Sequence, residues 1–184
     1  MLNLIKKIYL FEFRKEYKSQ FIEYILLNSV LLIVPFLLGE PQMLIGTVVN
    51  AVLIYIAFNF KEHKLFPAIF LPSLATLIRG IIFGPFTPFL VAFIPFIWIA
   101  NTILIFTARY LRINKHSEIF SLIIAGILKT GFLYLIAQIL VTQLDFPEIF
   151  LVAMGSTQLI TALCGGIIYL ALNNFITKFT QSKL

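Results

Sequence analysis

Long apolar runs separated by short polar segments limit what this chain can fold into more than any other feature. A helix needs about 20 apolar residues to cross the hydrocarbon core of a bilayer. Only 12% of the residues are charged, about half of what a soluble domain carries, so most of the chain must have lipid as its solvent. The pattern predicts an all-α polytopic membrane protein with six spans, at about residues 21–38, 43–60, 65–84, 89–111, 118–144 and 148–175.

The positions of the cations predict the orientation of these spans. Twelve of the 14 Lys and Arg residues lie in the first 20 residues, in the polar segment after the second span, at the inner end of the fourth span and in the segment after it, and in the C-terminal tail. The three intervening loops carry none, and contain Glu40, Asp145 and Glu148 instead. The positive-inside rule therefore places both termini in the cytoplasm. A pI of about 9.5 also suggests nucleic-acid binding, but cations confined to the ends of apolar runs indicate membrane topology, and no nucleic-acid partner is predicted.

Three segments follow from this topology. Residues 1–20 mix apolar side chains with five cations, which favours an amphipathic helix lying on the inner leaflet over a solvated leader. Residues 21–175 form the predicted six-helix transmembrane domain, and residues 176–184 a cytoplasmic tail. The pair Gly165-Gly166 in the last span allows close approach of a neighbouring helix.

The two remaining cations, Arg79 and Lys129, lie inside predicted spans. Arg79 is about 7 Å from the outer end of its helix, and Lys129 is near the middle of the membrane. Intramembrane cations are costly and usually functional, yet no Asp or Glu lies deep in any predicted span. Three explanations stay open: an anionic ligand neutralises them, a partner subunit supplies an acid, or Arg79 snorkels outward while Lys129 stays uncharged.

Other polar residues also fall within the spans. Trp98 and Asn101 share a helical stripe with Ile94, whereas Lys129 and Gln138, nine residues apart, point to opposite sides of their helix. Singly, such residues more often bond helix to helix than bind ligands. Together with the unpaired cations they favour an outward-facing pocket of apolar walls and a few polar groups. The predicted substrate-binding residues are Asn50, Arg79, Trp98, Lys129, Gln138 and Gln158.

Several chemistries are disfavoured by missing patterns. No GxxxxGK[ST] loop is present, so the chain has no means of its own to hydrolyse ATP. Gly155-Ser156-Thr157 does not match the GxSxG nucleophile elbow, and His63 and His116 both fall in predicted inside loops. We therefore expect no enzyme activity, no cofactor, no catalytic residue and no metal site.

Four segments resemble the substrate-binding S components of energy-coupling factor transporters: PQMLIGTVVNAVL (Pro41–Leu53), LPSLATLIRGIIFGPFTPFL (Leu71–Leu90), IPFIWIANTILIF (Ile94–Phe106) and AMGSTQLITALCGG (Ala153–Gly166). The resemblance implies a six-helix protein of a prokaryotic cytoplasmic membrane that takes up a small, vitamin-like metabolite. It also implies partners, namely a transmembrane coupling protein and two ATPase subunits. The first span lacks the AxxxA patch that S components often carry for docking to the coupling protein.

Two functions therefore stand as hypotheses. The first is a substrate-capture subunit of such a transporter, and the unpaired cations favour an anionic substrate. The alternative is a membrane anchor or assembly subunit of a larger complex, without a ligand, in which Lys129 pairs with an acid on a neighbouring subunit.

Overall fold

The fold is helical throughout the part of the chain that can be described. A computed structural model describes residues 2–10, 19–38, 41–79 and 86–181. Within these ranges no strand occurs, and a 3-10 turn at Glu62–Leu65 precedes the fourth helix. The helices are α1 (Leu2–Leu10), α2 (Ser19–Leu38), α3 (Gln42–Asn59), α4 (Phe66–Arg79), α5 (Thr87–Ile113), α6 (Glu118–Leu144), α7 (Ile149–Met154) and α8 (Ser156–Gln181).

Five helical stretches are long and apolar enough to cross a membrane. They are Gln20–Leu38, Gln42–Asn59, Pro88–Ile113, Glu118–Leu144 and Ile149–Phe175. The prediction of an all-helical chain is thus confirmed for the described residues, and the five stretches agree with a multi-pass membrane protein.

The third predicted span, residues 65–84, differs from the others. Its helix α4 has 14 residues, about 21 Å at 1.5 Å per residue, which is shorter than the hydrocarbon core of about 30 Å. Residues 80–84 lie outside the described ranges, as do residues 11–18 of the predicted interfacial segment and residues 182–184 of the predicted tail. Within that N-terminal segment, α1 is a helix whose Lys6 and Lys7 are exposed and whose Ile8 is buried.

The last predicted span is interrupted at Gly155, where α7 ends and α8 begins. Gly155 has φ −100° and ψ −105°, which is not helical. A Cβ at this position would lie 2.6 Å from the backbone oxygen of Leu151 and 2.9 Å from Cδ2 of Tyr134. Only glycine therefore fits here, and the interruption lets α8 start inside the bundle at Ser156.

Helix α3 forms the centre of the bundle and packs most extensively on α8. Nine of its residues are buried, although its sequence has no strongly apolar face. At Gly165 the two helices touch, since a Cβ there would lie 2.7 Å from the backbone nitrogen of Ala51 and 2.8 Å from Cβ of Asn50. The close approach predicted for the glycine pair is confirmed at Gly165, whereas at Gly166 a Cβ would find ordinary contacts with Leu122 at 3.5 Å.

The two glycines give a matched prediction. Gly165→Ala pushes against backbone atoms that cannot move aside, so we expect it to lower the free energy of unfolding by about 2–3 kcal/mol, the upper range for overpacking. Gly166→Ala meets only a flexible leucine side chain and we expect less than about 1 kcal/mol. Thermal unfolding of both variants in detergent measures the difference, and equal midpoints would contradict the close contact of α3 with α8.

Arg109 connects three helices at the point where α3 ends. It is fully buried, and its Nε donates to the backbone oxygen of Ile8 at 2.9 Å, while Nη1 donates to the backbone oxygens of Phe60, at 2.7 Å, and Ala57. The last carbonyls of α3 have no partner within their own helix, so Arg109 caps α3 and ties α1 and α3 to α5. Arg109 thus acts as an internal clamp, a buried side chain that joins three helices. It is also one of the cations on which the positive-inside prediction was based.

Candidate functional site

A cavity of about 110 Å³ opens at the end of the bundle where α2 ends and α3, α5 and α8 begin. Its walls are partly apolar, from Pro35, Ile45, Gly46, Val49, Pro72, Leu90, Ile97 and Met154. Its polar groups are Gln42, Asn50, Ser73, Thr76, Asn101, Lys129, Thr157, Gln158 and Thr161. Apolar walls with a few placed polar groups are typical of small-molecule sites.

Lys129 is the only charged side chain among the described residues that line this cavity. Its side chain is 3% exposed, and its Nζ donates to Oδ1 of Asn50 at 2.6 Å and to Oδ1 of Asn101 at 3.0 Å. A protonated lysine has three N–H donors. These contacts use two of them, so one N–H remains for a molecule in the cavity.

Both asparagines are held with their oxygens toward the lysine. Nδ2 of Asn50 donates to Oγ1 of Thr161 at 3.1 Å, and Nδ2 of Asn101 donates to the backbone oxygen of Ile69 at 3.1 Å. Because each amide nitrogen has its own acceptor, the amide oxygens are the ends that remain for Lys129. One polar network thus connects five helices, α3, α4, α5, α6 and α8.

No carboxylate among the described residues reaches the ammonium of Lys129. Glu23 accepts a hydrogen bond from the hydroxyl of Tyr55, and Glu118 pairs with Arg112 at 2.9 Å. Both pairs lie toward the end of the bundle that is opposite to the cavity mouth. Within the described ranges, a protonated Lys129 is therefore held by amide dipoles alone, and a buried charge without a counter-charge is costly.

Three of the six predicted site residues line the cavity: Asn50, Lys129 and Gln158. A fourth, Trp98, contacts a lining residue without lining the cavity itself, since its Nε1 donates to Oγ of Ser73 at 2.7 Å. Its ring also packs edge-on against Phe70 with 4.9 Å between centroids. Trp98 therefore holds Ser73, which lines the cavity, rather than lining it itself.

The structure does not bring the other two predicted residues to the cavity. Gln138 is exposed on the outer face of α6, as its opposite direction to Lys129 requires. Arg79 donates through Nη1 to the backbone oxygen of Phe36 in the last turn of α2, where carbonyls lack partners within the helix. Arg79 thus joins α4 to the end of α2, and its Nε has no partner among the described residues.

The predicted set missed Asn101, which contacts Lys129 directly, and the hydroxyls of Ser73 and Thr161. Signals for two of them were present in the sequence. Asn101 shares the stripe of Trp98, and Thr161 lies one turn after Gln158, but only the helix rotation shows which member of a stripe faces inward. Ser73 follows Pro72 in a mostly apolar helix that also contains Thr76 and Arg79, and nothing in that pattern distinguishes it.

The described residues contain no group of three or more His, Cys, Asp or Glu side chains that could hold a metal ion. The chain matches no protein-family model, no curated protein and no solved structure. The function of the chain must therefore be inferred from the geometry and chemistry of the cavity.

Proposed function

We propose that the chain is a substrate-capture subunit of an energy-coupling factor type transporter, which binds a small anionic metabolite from the outer side of a prokaryotic cytoplasmic membrane. The observation that carries the proposal is Nζ of Lys129, buried at the cavity and held by Asn50 and Asn101, with no carboxylate of the described residues beside it. An anion that enters the cavity supplies the missing counter-charge. It also accepts the remaining N–H, and charge-assisted hydrogen bonds of this kind are strong.

The proposed topology has six spans with both termini inside. The direction of the helices supports it, because only residues 60–65 separate the end of α3 from the start of α4, so the two helix ends lie at the same end of the bundle. Thr76 near the end of α4 instead lines the cavity, as Gln42 at the start of α3 does. Helix α4 thus leads from one end of the bundle toward the other, which a sixth crossing needs.

Cysteine labelling tests this topology. In a Cys164→Ser background, six spans put Lys115→Cys inside and Glu148→Cys outside. We therefore expect a membrane-impermeant maleimide to label intact cells at position 148 and not at position 115, and to label both after permeabilisation. A chain in which α4 does not cross places position 115 outside and position 148 inside, so the reverse pattern would contradict six spans with both termini inside.

Purification of the tagged chain from its native membrane in mild detergent tests the proposed partners. We expect a transmembrane coupling protein and ATPase subunits to co-purify, and mass spectrometry to detect a bound small molecule. A chain carrying Lys129→Met serves as the control, since it removes the charge and leaves the surface unchanged. A stable complex without any ATPase, and without a bound metabolite, would contradict substrate capture.

The alternative function, a membrane anchor or assembly subunit, has one observation in its favour. The network around Lys129 connects five helices and satisfies two of the three N–H donors of the lysine within the chain. Under this alternative, the acid that compensates Lys129 comes from a neighbouring subunit. Cross-linking from Thr157, at the cavity, to an acidic segment of a co-purified protein would support it.

A further inference from the structure

The proposed function leaves the chemical class of the ligand open, and the cavity restricts it in three ways. The first is charge. Lys129 is the only cation among the described lining residues, because Arg79 is engaged with the end of α2. A second negative charge on the ligand would stay uncompensated in a low-dielectric site, which is costly. The lining therefore favours a single negative charge.

The second restriction concerns positive charge on the ligand. The described residues of the lining include no Asp or Glu, and the carboxylates of Glu23 and Glu118 are engaged with Tyr55 and Arg112. The ammonium group of an amino acid would find no anionic partner in this lining and would lie near Lys129, whose like charge repels it. The described part of the lining thus disfavours zwitterions as well as cations.

The third restriction is size and the spacing of polar groups. A closed cavity of about 150 Å³ accepts benzene, with its six carbon atoms, so a cavity of about 110 Å³ that is open on one side suits roughly six to eight non-hydrogen atoms. Gln158 lies one turn before Thr161, about 4.5 Å along α8, and Thr161 bonds to Asn50 beside the lysine. Gln158 lines the cavity, and its side-chain amide is the group of the right chemistry to meet a neutral polar group one turn from the anion.

From these restrictions we infer that the cavity selects a short monocarboxylate with a neutral hydroxyl or similar polar group and an aliphatic body. This inference rests on the proposed function and narrows its ligand. The carboxylate meets Nζ of Lys129, the polar group meets Gln158, and the aliphatic body meets the walls formed by Ile45, Val49 and Ile97.

Four compounds of nearly equal size test the inference on the full-length wild-type chain in detergent. They are 2-hydroxyisovalerate, its neutral amide, malate and valine. Thermal unfolding at increasing concentrations gives an apparent Kd for each. We expect 2-hydroxyisovalerate to bind at least about thirtyfold more tightly than the other three, the factor that one charge-assisted hydrogen bond of about 2 kcal/mol provides. Equal stabilisation by the amide, malate or valine would overturn the inference, and so would no stabilisation by any of the four.

Asn50→Asp is the matched variant because it changes one atom and supplies Lys129 with a carboxylate. In the wild type the hydroxyl of Thr161 donates to the backbone oxygen of Gln158 at 3.1 Å. In the variant it turns to donate to the new oxygen, and the carbonyl of Gln158 keeps its N–H partner within the helix, so we expect the unfolding midpoint without ligand to change little. Affinity for 2-hydroxyisovalerate should fall at least about thirtyfold, and an unchanged apparent Kd would overturn the inference. If ATPase subunits co-purify but none of the four compounds binds, the ligand class is wrong and the transporter proposal is still supported. If 2-hydroxyisovalerate binds but no ATPase subunits co-purify, the ligand class is supported and the transporter proposal is not.

Discussion

Replacing Arg109 with methionine is expected to lower the free energy of unfolding by about 3–5 kcal/mol, the range for removing one member of a buried polar or ionic network. Methionine keeps much of the aliphatic volume of the arginine but provides no donor. The backbone oxygens of Ile8, Ala57 and Phe60 then lose their partner, and each unsatisfied buried carbonyl costs about 1–3 kcal/mol. Helix α1 should also detach from α5, since the contact with Ile8 holds it there.

Arg112→Met is the control for this prediction. Arg112 lies on the same helix three residues later, and its side chain is 38% exposed in an ion pair with Glu118. Exposed ion pairs contribute about 1 kcal/mol or less, so this variant should unfold close to the wild-type midpoint. Denaturant titration of both variants in detergent measures the difference. Similar losses for the two would contradict the role of Arg109 as an internal clamp.

Replacing Lys129 with methionine is expected to weaken binding of the co-purified metabolite by about a hundredfold or more. The variant removes both the counter-charge of an anionic ligand and its hydrogen bond, a loss of about 3–5 kcal/mol for a buried pair. The effect on stability should be smaller, about 1–2 kcal/mol, because water in the cavity can donate to the amide oxygens of Asn50 and Asn101 that the lysine leaves. Isotope-dilution mass spectrometry of bound metabolite and thermal unfolding of the same samples give the two values.

Comparing the loss of metabolite binding with the loss of stability in Lys129→Met distinguishes substrate capture from the membrane-anchor function. A large loss of binding with a small loss of stability supports substrate capture. A loss of stability of several kcal/mol with unchanged metabolite content would instead show that Lys129 mainly fastens the helices, as the anchor hypothesis requires. Lys115→Met, in the loop between α5 and α6, is the control for loss of one lysine and should change neither value.

Depth within a span is the sequence feature that indicates Lys129, which the structure places at the cavity between Asn50 and Asn101. Lys129 is conspicuous because an ionisable group in the middle of an apolar run costs too much to be incidental. Arg79 carries the same signal but serves another purpose, since its helix α4 ends there and its guanidinium reaches a free carbonyl of α2. A pattern shows that such a group needs a partner, and does not show whether the partner is a ligand or a helix end.

The rotation of each helix explains the remaining differences. Gln138 and Lys129 lie on one helix with opposite directions, and only the packing of α6 on α5 and α8 shows that the lysine faces inward. The predicted substrate-binding residues include Trp98 but not Asn101 of the same stripe. Asn101 contacts Lys129 directly, whereas Trp98 reaches the cavity only through Ser73. A period of 3.6 residues defines a stripe, but tertiary contacts determine which part of it faces the cavity.

The order of apolar runs and cations alone determined that the chain is helical and suited to a membrane, because lipid leaves backbone groups no partner other than the helix itself. It also determined which lysine has no carboxylate at its own depth within the predicted spans. Tertiary structure alone decided that Gly155 divides the last span, that Arg109 is buried, and that Asn50, Asn101 and Lys129 meet at one cavity. These features depend on contacts between residues up to about a hundred positions apart, such as Arg109 with Ile8, and no local pattern in the sequence encodes such contacts.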